Sequence, residues 1–213
     1  MSRSRVEKVH CPNCDAENHI LIWESLNTKL NPKETKQLLD GTFFVFECNQ
    51  CNYKTLMDYA ILYHDMENMC MIYYVGDDQI DKTKGIFEYA KKIGDPEYNK
   101  CYRHRIVTSQ IALREKALIF NYGLDDRIIE IAKYLCYCLA TEQHPQEHIE
   151  DVRFMVNSGQ YEVCFLSEKP MYVTIDQRML DYVCKEFASK FTKDDDRETI
   201  IDFNWAKEKV QKA

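Results

Sequence analysis

The sequence predicts an α+β fold, and three observations support this prediction. Short runs rich in β-branched and aromatic residues, such as HILIWESLN and TFFVFE, are typical of strands. Longer runs, such as LDDRIIEIAKYLCYCLA, repeat apolar residues at helical spacing. Two Cys-x2-Cys pairs, separated by 33 residues, stand on either side of the first two strands. We therefore expect an N-terminal ribbon held by cysteines, its sheet extended by further strands, and then a helical and β-hairpin C-terminal part.

The composition is that of a globular protein with a sizeable core. Of 213 residues, 45% are hydrophobic and 30% are charged, a balance that separates the chain from disordered proteins. The length fits one large domain, or a small module with one further domain. The 28 basic and 35 acidic residues leave a net charge of -7. Because nucleic-acid binding draws on clustered Lys and Arg, this charge favours a protein partner over a nucleic acid.

The sequence also bears on the cellular compartment. The N-terminal segment MSRSRVEKVH lacks the apolar run of a signal peptide, and no run of about 18 apolar residues predicts a transmembrane helix. We therefore expect a cytoplasmic protein with no membrane partner. Because a reducing compartment disfavours disulfides, the ten cysteines call for another explanation.

The two cysteine pairs have the spacing of a tetrahedral metal site. Their members are Cys11, Cys14, Cys48 and Cys51. A two-residue gap lets both sulfurs of a tight turn point at one ion, and two such turns supply the four thiolates that structural Zn²⁺ accepts. Pro12 presets one backbone angle of the first turn. A residue that tolerates the left-handed conformation follows each pair, namely Asp15 and Asn52.

One structural zinc per chain is the favoured prediction, and two alternatives remain open. A Cys-x-x-Cys pair can be redox-active, although a redox pair needs no second pair and usually lies at a helix N-terminus. Four cysteines can also hold an iron–sulfur cluster. Four thiolates around zinc leave no open coordination position, so such a metal is structural and its binding energy is folding energy for the module.

The segment between the pairs predicts a zinc ribbon with a helical insertion. HILIWESLN follows the first pair and TFFVFE leads into the second. Between these strands, NPKETKQLLDG places Pro32 at the first helical position, with Asn31 as N-cap and Glu34 where a capping box needs it. Gly41 is the expected end of this helix.

These residues resemble the CpXC family, a group of bacterial proteins thought to bind zinc through two such motifs. The resemblance runs from residue 9 to about residue 75 and rests on VHCPNCDAENHILIWESLN, CNQC and ILYHDM. The second motif has Asn49 in place of the proline, and no glycine follows either pair. These departures concern the shape of the turns and not the ligands. The resemblance implies a metal site and a bacterial or phage-related source, and it implies no activity.

After the ribbon, the sequence predicts two more strands and a connecting segment. LMDYAILYHD and MCMIYYVG read as strands joined by a short turn, and we expect them to extend the sheet as antiparallel neighbours. The charged stretch that follows predicts a short helix over 86–93, ended by Gly94 and Pro96. The expected organisation is a ribbon domain at 1–78, a connecting segment at 79–107 and an α+β domain at 108–213.

The C-terminal part predicts three helices around a small sheet, and then a fourth. TSQIALREKALIFNYG predicts a helix ended by Gly123, and Asp125 caps the next one. DVRFMVNSGQYEVCFLSEKPMYVTID predicts two strands about an Asn-Ser-Gly turn and a third strand after Pro170. Asp176 caps a third helix, and the chain ends in a short strand and a helix capped by Asn204. The predicted buried faces are Ile128, Ile131, Leu135 and Leu139 on the second helix and Leu180, Val183, Phe187 and Phe191 on the third.

Two polar clusters outside the cysteine pairs are candidates for chemistry. His64 and Asp65 could act as a base and its orienting acid, but adjacent side chains on a strand point to opposite faces, so we expect them to end a strand and cap a turn. A second cluster, which could hold a divalent ion or a phosphate, consists of Asp125, Asp126, Arg127 and Glu130. We favour a helix N-terminus that attracts acids, with Arg127 and Lys133 paired to Glu130.

A second zinc site is the remaining candidate. It would consist of Cys136, Cys138, His144 and His148, which include the ligand spacing His-x3-His. Because Cys136 and Cys138 are two apart on a helix, their side chains diverge, and we expect Cys136 to be a small buried thiol in the apolar stripe. The cysteines that stand singly are also expected to be core thiols: Cys70, Cys101, Cys164 and Cys184.

Three functional hypotheses follow. The first is a non-enzymatic protein-binding module on a platform that the metal holds rigid. The second is an enzyme with a site between the ribbon and the C-terminal part, using His64 or the cluster at 125–130. The third is a nucleic-acid-binding or regulatory factor, in which Trp23, Phe44, Phe46 and Tyr53 stack on bases beside a stripe of Arg3, Arg5, Lys8 and Lys54. The phosphate-loop, dinucleotide, nucleophile-elbow and HExxH motifs are all missing from the sequence.

Overall fold

A computed structural model describes residues 2–93, 102–191 and 198–212. Six α-helices and three sheets lie in these residues, which confirms the predicted α+β class. The chain forms two compact units, Met1–Arg114 and Glu115–Ala213. No helix of the described residues is long and apolar enough to span a membrane.

The bounds of the elements are as follows. The strands are β1 (Arg3–His10), β2 (Glu17–Asn27), β3 (Val45–Glu47), β4 (Lys54–Leu56), β5 (Ile61–Asp65), β6 (Cys70–Tyr74), β7 (Arg103–Val107), β8 (Asp151–Asn157), β9 (Gln160–Leu166) and β10 (Met171–Thr174). The helices are α1 (Pro32–Asp40), α2 (Ile80–Ile93), α3 (Gln110–Asn121), α4 (Asp126–Gln143), α5 (Gln177–Phe187) and α6 (Phe203–Gln211).

The first unit is built on a five-stranded sheet of order β1-β2-β5-β6-β7. The ribbon's sheet does continue into later strands, because Ser25, Leu26 and Asn27 of β2 pair with β5. The predicted antiparallel extension differs from the structure, since β2 with β5 and β6 with β7 are parallel pairs. The reason is that each of these pairs is joined by a long crossover, which parallel strands require. The edge strand β7 comes from the predicted connecting segment 79–107.

The helical insertion α1 has the predicted bounds but not the predicted cap. Pro32 is its first residue, and Gly41 ends it in the left-handed conformation at φ +86°. The Asn31 side chain makes no capping hydrogen bond. Its oxygen instead accepts a hydrogen bond from the hydroxyl of Ser2, 29 residues away. The Asn31 side chain is therefore used in a long-range contact with Ser2, and not as the predicted cap of α1.

Three other elements of this unit differ in length from the prediction. The strand predicted in TFFVFE begins only at Val45, because the N–H groups of Thr42 and Phe43 donate to Gln37 O at the end of α1. Residues 54–56 belong to a separate hairpin with β3, so β5 begins at Ile61. Helix α2 begins at Ile80 and not at residue 86. Its predicted stops, Gly94 and Pro96, lie outside the described residues.

The second unit carries the three-stranded sheet β10-β9-β8. The predicted Asn-Ser-Gly turn joins β8 to β9, with Ser158 at φ 50° and Gly159 at φ 81°, as a two-residue hairpin turn requires. Asp125 caps α4 by accepting a hydrogen bond from Arg127 N–H, and Asp176 caps α5 by accepting one from Met179 N–H. Both caps are as predicted. Helix α4 is buried on almost every side from Ile128 to Tyr134, whereas Leu139, predicted to be buried, is 50% exposed.

The end of the chain differs from the prediction in two respects. Helix α6 is capped by Asp202, whose side chain accepts a hydrogen bond from Trp205 N–H, and Asn204 lies inside the helix. A short strand was predicted before the last helix, but the described residues 198–202 form no strand. Phe191 lies beyond the end of α5, and its ring centroid is 6.0 Å from that of Trp205. The apolar residue is thus used for packing as predicted, but not on the helix.

Candidate metal centre

The first cysteine pair forms a knuckle at the turn between β1 and β2. Cys11 N–H donates to Ala16 O at 3.0 Å, and Asp15 N–H donates to Cys11 O at 2.9 Å. Asp15 has φ 59°, the left-handed conformation that the sequence predicts. The backbone N–H of Asn13 points at Cys11 Sγ over 3.4 Å. The turn therefore orients backbone donors toward a sulfur, which suits a thiolate.

The second pair repeats this geometry between β3 and β4. Cys48 N–H donates to Tyr53 O at 2.9 Å, and Asn52 N–H donates to Cys48 O at 3.0 Å. Asn52 has φ 57°, and Gln50 N–H points at Cys48 Sγ over 3.4 Å. Because the hydrogen bonds match those of the first knuckle, Asn49 in place of proline leaves the shape of the turn unchanged.

The two knuckles bring the four predicted ligands together. The sulfurs of Cys11, Cys14, Cys48 and Cys51 all lie within 4.8 Å of one another. Two of these separations join opposite knuckles: Cys11 Sγ lies 3.7 Å from Cys51 Sγ, and Cys14 Sγ lies 3.7 Å from Cys48 Sγ. These four cysteines could hold a metal ion, and both hairpins contribute to the site.

The site lies on a small apolar core. Cys11 and Cys48 are buried together with Phe46, whereas Cys14 is exposed. Partly buried side chains pack around this core, namely Val9, Ala16, Ile20, Cys51 and Met57. The cluster therefore has two cysteines in the interior and one at the surface.

The backbone favours the thiolate form of part of this cluster. The N–H groups of Cys51 and Gln50 lower the pKa of Cys48 to about 6. At Cys14, the N–H of Ala16 lowers the pKa, but the neighbouring sulfurs outweigh it and raise the pKa to about 12. Since metal ligands must be deprotonated, a divalent cation held by these sulfurs would favour ionisation of the last thiol.

Two asparagines of the site, Asn13 and Asn18, are not predicted from the sequence. Asn18, at the start of β2, is 2% exposed and lies between the knuckles. Asn13 sends its side-chain amide across to Cys51 Sγ over 3.5 Å. Asn is disfavoured in strands, so an asparagine in a strand beside a cysteine turn is the only hint in the sequence that Asn18 belongs to the site. That signal does not say what the side chain contacts.

The structure does not assemble the second candidate zinc site. Cys136 is buried and points its sulfur at Met179 Sδ over 3.5 Å, as expected of a core thiol. Cys138, His144 and His148 are exposed. Among the described residues, no group of three or more His, Cys, Asp or Glu ligand atoms other than the four cysteines lies close enough to hold an ion.

Replacing Cys136 with serine should leave the metal content per chain unchanged. We expect only a stability loss of about 1–3 kcal/mol, because the serine hydroxyl would be buried without a matched partner. Elemental analysis of the purified variant, beside the wild type, measures this directly. A fall in metal content would show that Cys136 is a ligand after all.

The single cysteines only partly follow the prediction. Cys70 and Cys164 are buried, as predicted for core thiols, but Cys184 is exposed. Cys184 follows the buried Val183 on α5, and one step along a helix turns the side chain toward another face. Cys101 lies outside the described residues.

His64 and Asp65 end a strand and cap a turn, as expected. His64 Nε2 lies 3.1 Å from Tyr102 Oη, and burial lowers the pKa of the imidazole. Asp65 accepts hydrogen bonds from the N–H groups of Glu67 and Asn68, which closes the turn between β5 and β6. The Asp65 carboxylate is therefore used by the turn and does not orient the histidine.

The acidic cluster at 125–130 divides into a helix cap and a buried network. Arg127 was predicted to pair with Glu130, but it pairs with Asp125 at 2.7 Å. Glu130 does pair with Lys133, at 2.9 Å, as predicted, and its second partner is Lys116, whose Nζ donates to it at 2.8 Å. Arg127 lies three residues before Glu130 on α4 and is already held by the cap. Lys116 lies on a different helix, α3, so the spacing of residues along α4 does not predict its pairing with Glu130.

The network extends to two further carboxylates. Lys133 pairs with Glu115 at 2.6 Å, and Lys116 lies 3.3 Å from Asp126. All five side chains are at most 11% exposed. Burial raises the pKa of Glu115, which has one lysine. Burial also acts on Glu130, but its two lysines outweigh it and lower the pKa. These carboxylates are satisfied by lysines, which favours a structural role over ion binding.

By its fold and its site, this is an α+β protein in which four cysteines of two hairpin turns form a cluster that could hold a metal ion. The model of the CpXC protein family matches residues 9–133, more than half of the chain. The chain therefore belongs to the CpXC family. The match runs from β1 through the first half of α4, well beyond the ribbon. No curated protein and no solved structure matches the chain.

Proposed function

We propose that this CpXC protein binds one structural zinc ion and acts as a non-enzymatic protein-binding module. The observation that carries the proposal is an exposed apolar strip on the hairpins that the metal joins. The strip consists of Val6, Leu21, Val45 and Leu56. A reducing bacterial cytoplasm fits the proposal, because free thiolates persist there and disulfides do not.

Zinc suits the geometry of the four sulfurs. A tetrahedral ion with Zn–S bonds of about 2.3 Å separates its sulfurs by about 3.8 Å, and two of the separations between knuckles are 3.7 Å. An iron–sulfur cluster places several irons and sulfides among its cysteines, which requires a wider cage than one ion does. A redox pair would not need the second knuckle. The spacing therefore supports a single tetrahedral ion.

The apolar strip takes one pair of opposed residues from each hairpin. Val6 lies directly opposite Leu21 in the β1–β2 register, and Val45 lies opposite Leu56 in the β3–β4 register. Leu21 and Val45 line the same groove, which joins the two pairs. Val6 is 65% exposed and Leu56 is 64% exposed. Contiguous apolar surface of this kind marks interaction sites, whereas scattered apolar residues do not.

The size of the groove favours an anchoring side chain over a substrate. Its volume is about 200 Å³, below the roughly 300–1,000 Å³ of ligand pockets. Its walls include Phe43, Phe44 and Met57, and its one charged residue is Glu47. Glu47 is paired with Lys54 at 3.1 Å. The groove thus offers apolar contact and supplies no evident acid–base pair.

The charges of the ribbon also favour a protein over a nucleic acid. Each member of the candidate basic stripe has an acidic neighbour: Arg3 and Arg5 pair with Glu24, Lys8 with Glu17, and Lys54 with Glu47. Phe44 and Phe46, considered for base stacking, are buried. A phosphate backbone would find a locally neutral surface.

The double variant Leu21→Lys, Leu56→Lys is expected to lose the partner while keeping its metal and its melting temperature. Central apolar contacts of an interface are worth 2 kcal/mol or more, or roughly 30-fold in affinity. The test is affinity capture from host-cell extract, followed by calorimetry with the partner identified. Leu30→Lys is the matched control, because Leu30 is 62% exposed but lies outside the strip. Equal capture by the wild type and the double variant would count against the proposal.

A further inference from the structure

Asn18 makes a complete set of hydrogen bonds between the two knuckles. Its side-chain Nδ2 donates to Ala16 O at 2.9 Å, within the first knuckle. The same nitrogen lies 3.6 Å from Cys48 Sγ, and Oδ1 accepts from Asn49 N–H at 2.9 Å, both in the second knuckle. A side-chain amide has two N–H donors and one oxygen acceptor. All of these groups are used here, on a side chain that is almost fully buried.

We propose that Asn18 is a positioning residue that sets the register of the two knuckles and holds the Cys48 thiolate, so that it governs how slowly the site releases its metal. This inference rests on the proposed zinc site. Asn13 supports it from the surface, since its Nδ2 also runs from the first knuckle to a sulfur of the second, Cys51 Sγ, over 3.5 Å. Both amides therefore tie the hairpins together through the ligands.

The chemistry of a four-thiolate site explains why an amide is suited to this position. Zinc with four thiolates carries an excess of negative charge, and a neutral N–H donor disperses it without adding charge. An aspartate would keep the acceptor for Asn49 N–H but would offer no donor and would repel the Cys48 sulfur. Outer-shell partners of metal ligands change metal affinity by about 10- to 100-fold. We expect an effect of that size on the release rate.

The test uses the full chain, loaded with one equivalent of zinc, and follows zinc transfer to the chromogenic chelator 4-(2-pyridylazo)resorcinol. Asn18→Ala should release zinc about 10- to 100-fold faster than the wild type, and Asn18→Asp at least as fast. Asn49→Ala is the matched control. It lies in the second knuckle with an exposed side chain, and the substitution keeps its backbone N–H. Its release rate should equal that of the wild type.

Cadmium-113 NMR of the cadmium-loaded proteins provides a readout that a general loss of stability does not move. The cadmium resonance should shift in both Asn18 variants, because the charge on the Cys48 sulfur changes, and stay in place in Asn49→Ala. If Asn18→Ala does not fold, Asn18→Asp still reports, because it keeps the bond to the second knuckle. Release rates within twofold of the wild type and an unmoved resonance would overturn the role of Asn18 alone. A wild-type chain that takes up no zinc would overturn the proposed zinc site as well.

Discussion

Replacing Cys48 with serine is expected to abolish metal binding and to unfold at least the two hairpins. Cys48 is fully buried in the ribbon core and supplies one of the four sulfurs that could hold a metal ion. Structural zinc contributes about 10–16 kcal/mol of apparent binding free energy, as much as the whole stability of a typical domain, about 5–15 kcal/mol. Strand β2 runs from the first knuckle into the five-stranded sheet, so the loss should reach beyond the hairpins.

Elemental analysis and thermal melting measure the two consequences of this substitution separately. The matched control is Cys184→Ser, since Cys184 is an exposed cysteine outside the site, and both its metal content and its melting temperature should equal those of the wild type. A Cys48→Ser protein with full metal content and an unchanged melting temperature would refute the site.

Replacing Glu130 with alanine is expected to lower the free energy of unfolding by about 3–5 kcal/mol, the usual cost of removing one partner from a buried ion pair. Glu130 is 2% exposed and bridges Lys116 and Lys133. Its loss leaves Lys116 with Asp126 at 3.3 Å and Lys133 with Glu115 as the remaining carboxylates. Two buried cations would then share a smaller negative charge in a medium that solvates them poorly.

Urea denaturation measures this loss, and acid titration identifies its origin. The two lysines hold the pKa of Glu130 below its ordinary value, despite burial. The stabilisation is therefore present above the unfolded-state pKa and is lost as the pH falls through the lowered folded-state pKa. Glu130→Gln should lack this part of the acid dependence. Glu142→Ala, an exposed glutamate on the same helix, is the control and should change stability by less than about 0.5 kcal/mol. A loss below 1 kcal/mol for Glu130→Ala would contradict the assigned role of the network.

The four-cysteine site and the apolar strip share the same two hairpins. The knuckles hold the β1–β2 and β3–β4 hairpins together, and the strip takes Leu21 from the first and Val45 from the second. A docking surface made from two hairpins persists only while their relative position is held. The proposed structural metal would supply that constraint, which links the two parts of the proposed function.

The sequence by itself determined the two cysteine turns of the candidate metal centre, because the features of each turn are local. The two-residue gap sets the direction of each pair of sulfurs, and Asp15 and Asn52 take the left-handed conformation that the turns require. The caps at Asp125 and Asp176 could be predicted for the same reason, since each carboxylate bonds an N–H two or three residues ahead. No partner from elsewhere in the chain is needed for these features.

The tertiary structure alone decided the features that join distant residues. Asn18 meets Cys48 and Asn49 across 30 and 31 residues, and Ser2 takes the side chain of Asn31 across 29. Glu130 pairs with Lys116 on α3, and not with Arg127, the partner that the spacing along α4 predicted. In each case a polar group has several possible partners within a few residues. The partner is chosen by what lies near once the apolar surfaces are buried, because a buried polar group must be satisfied there.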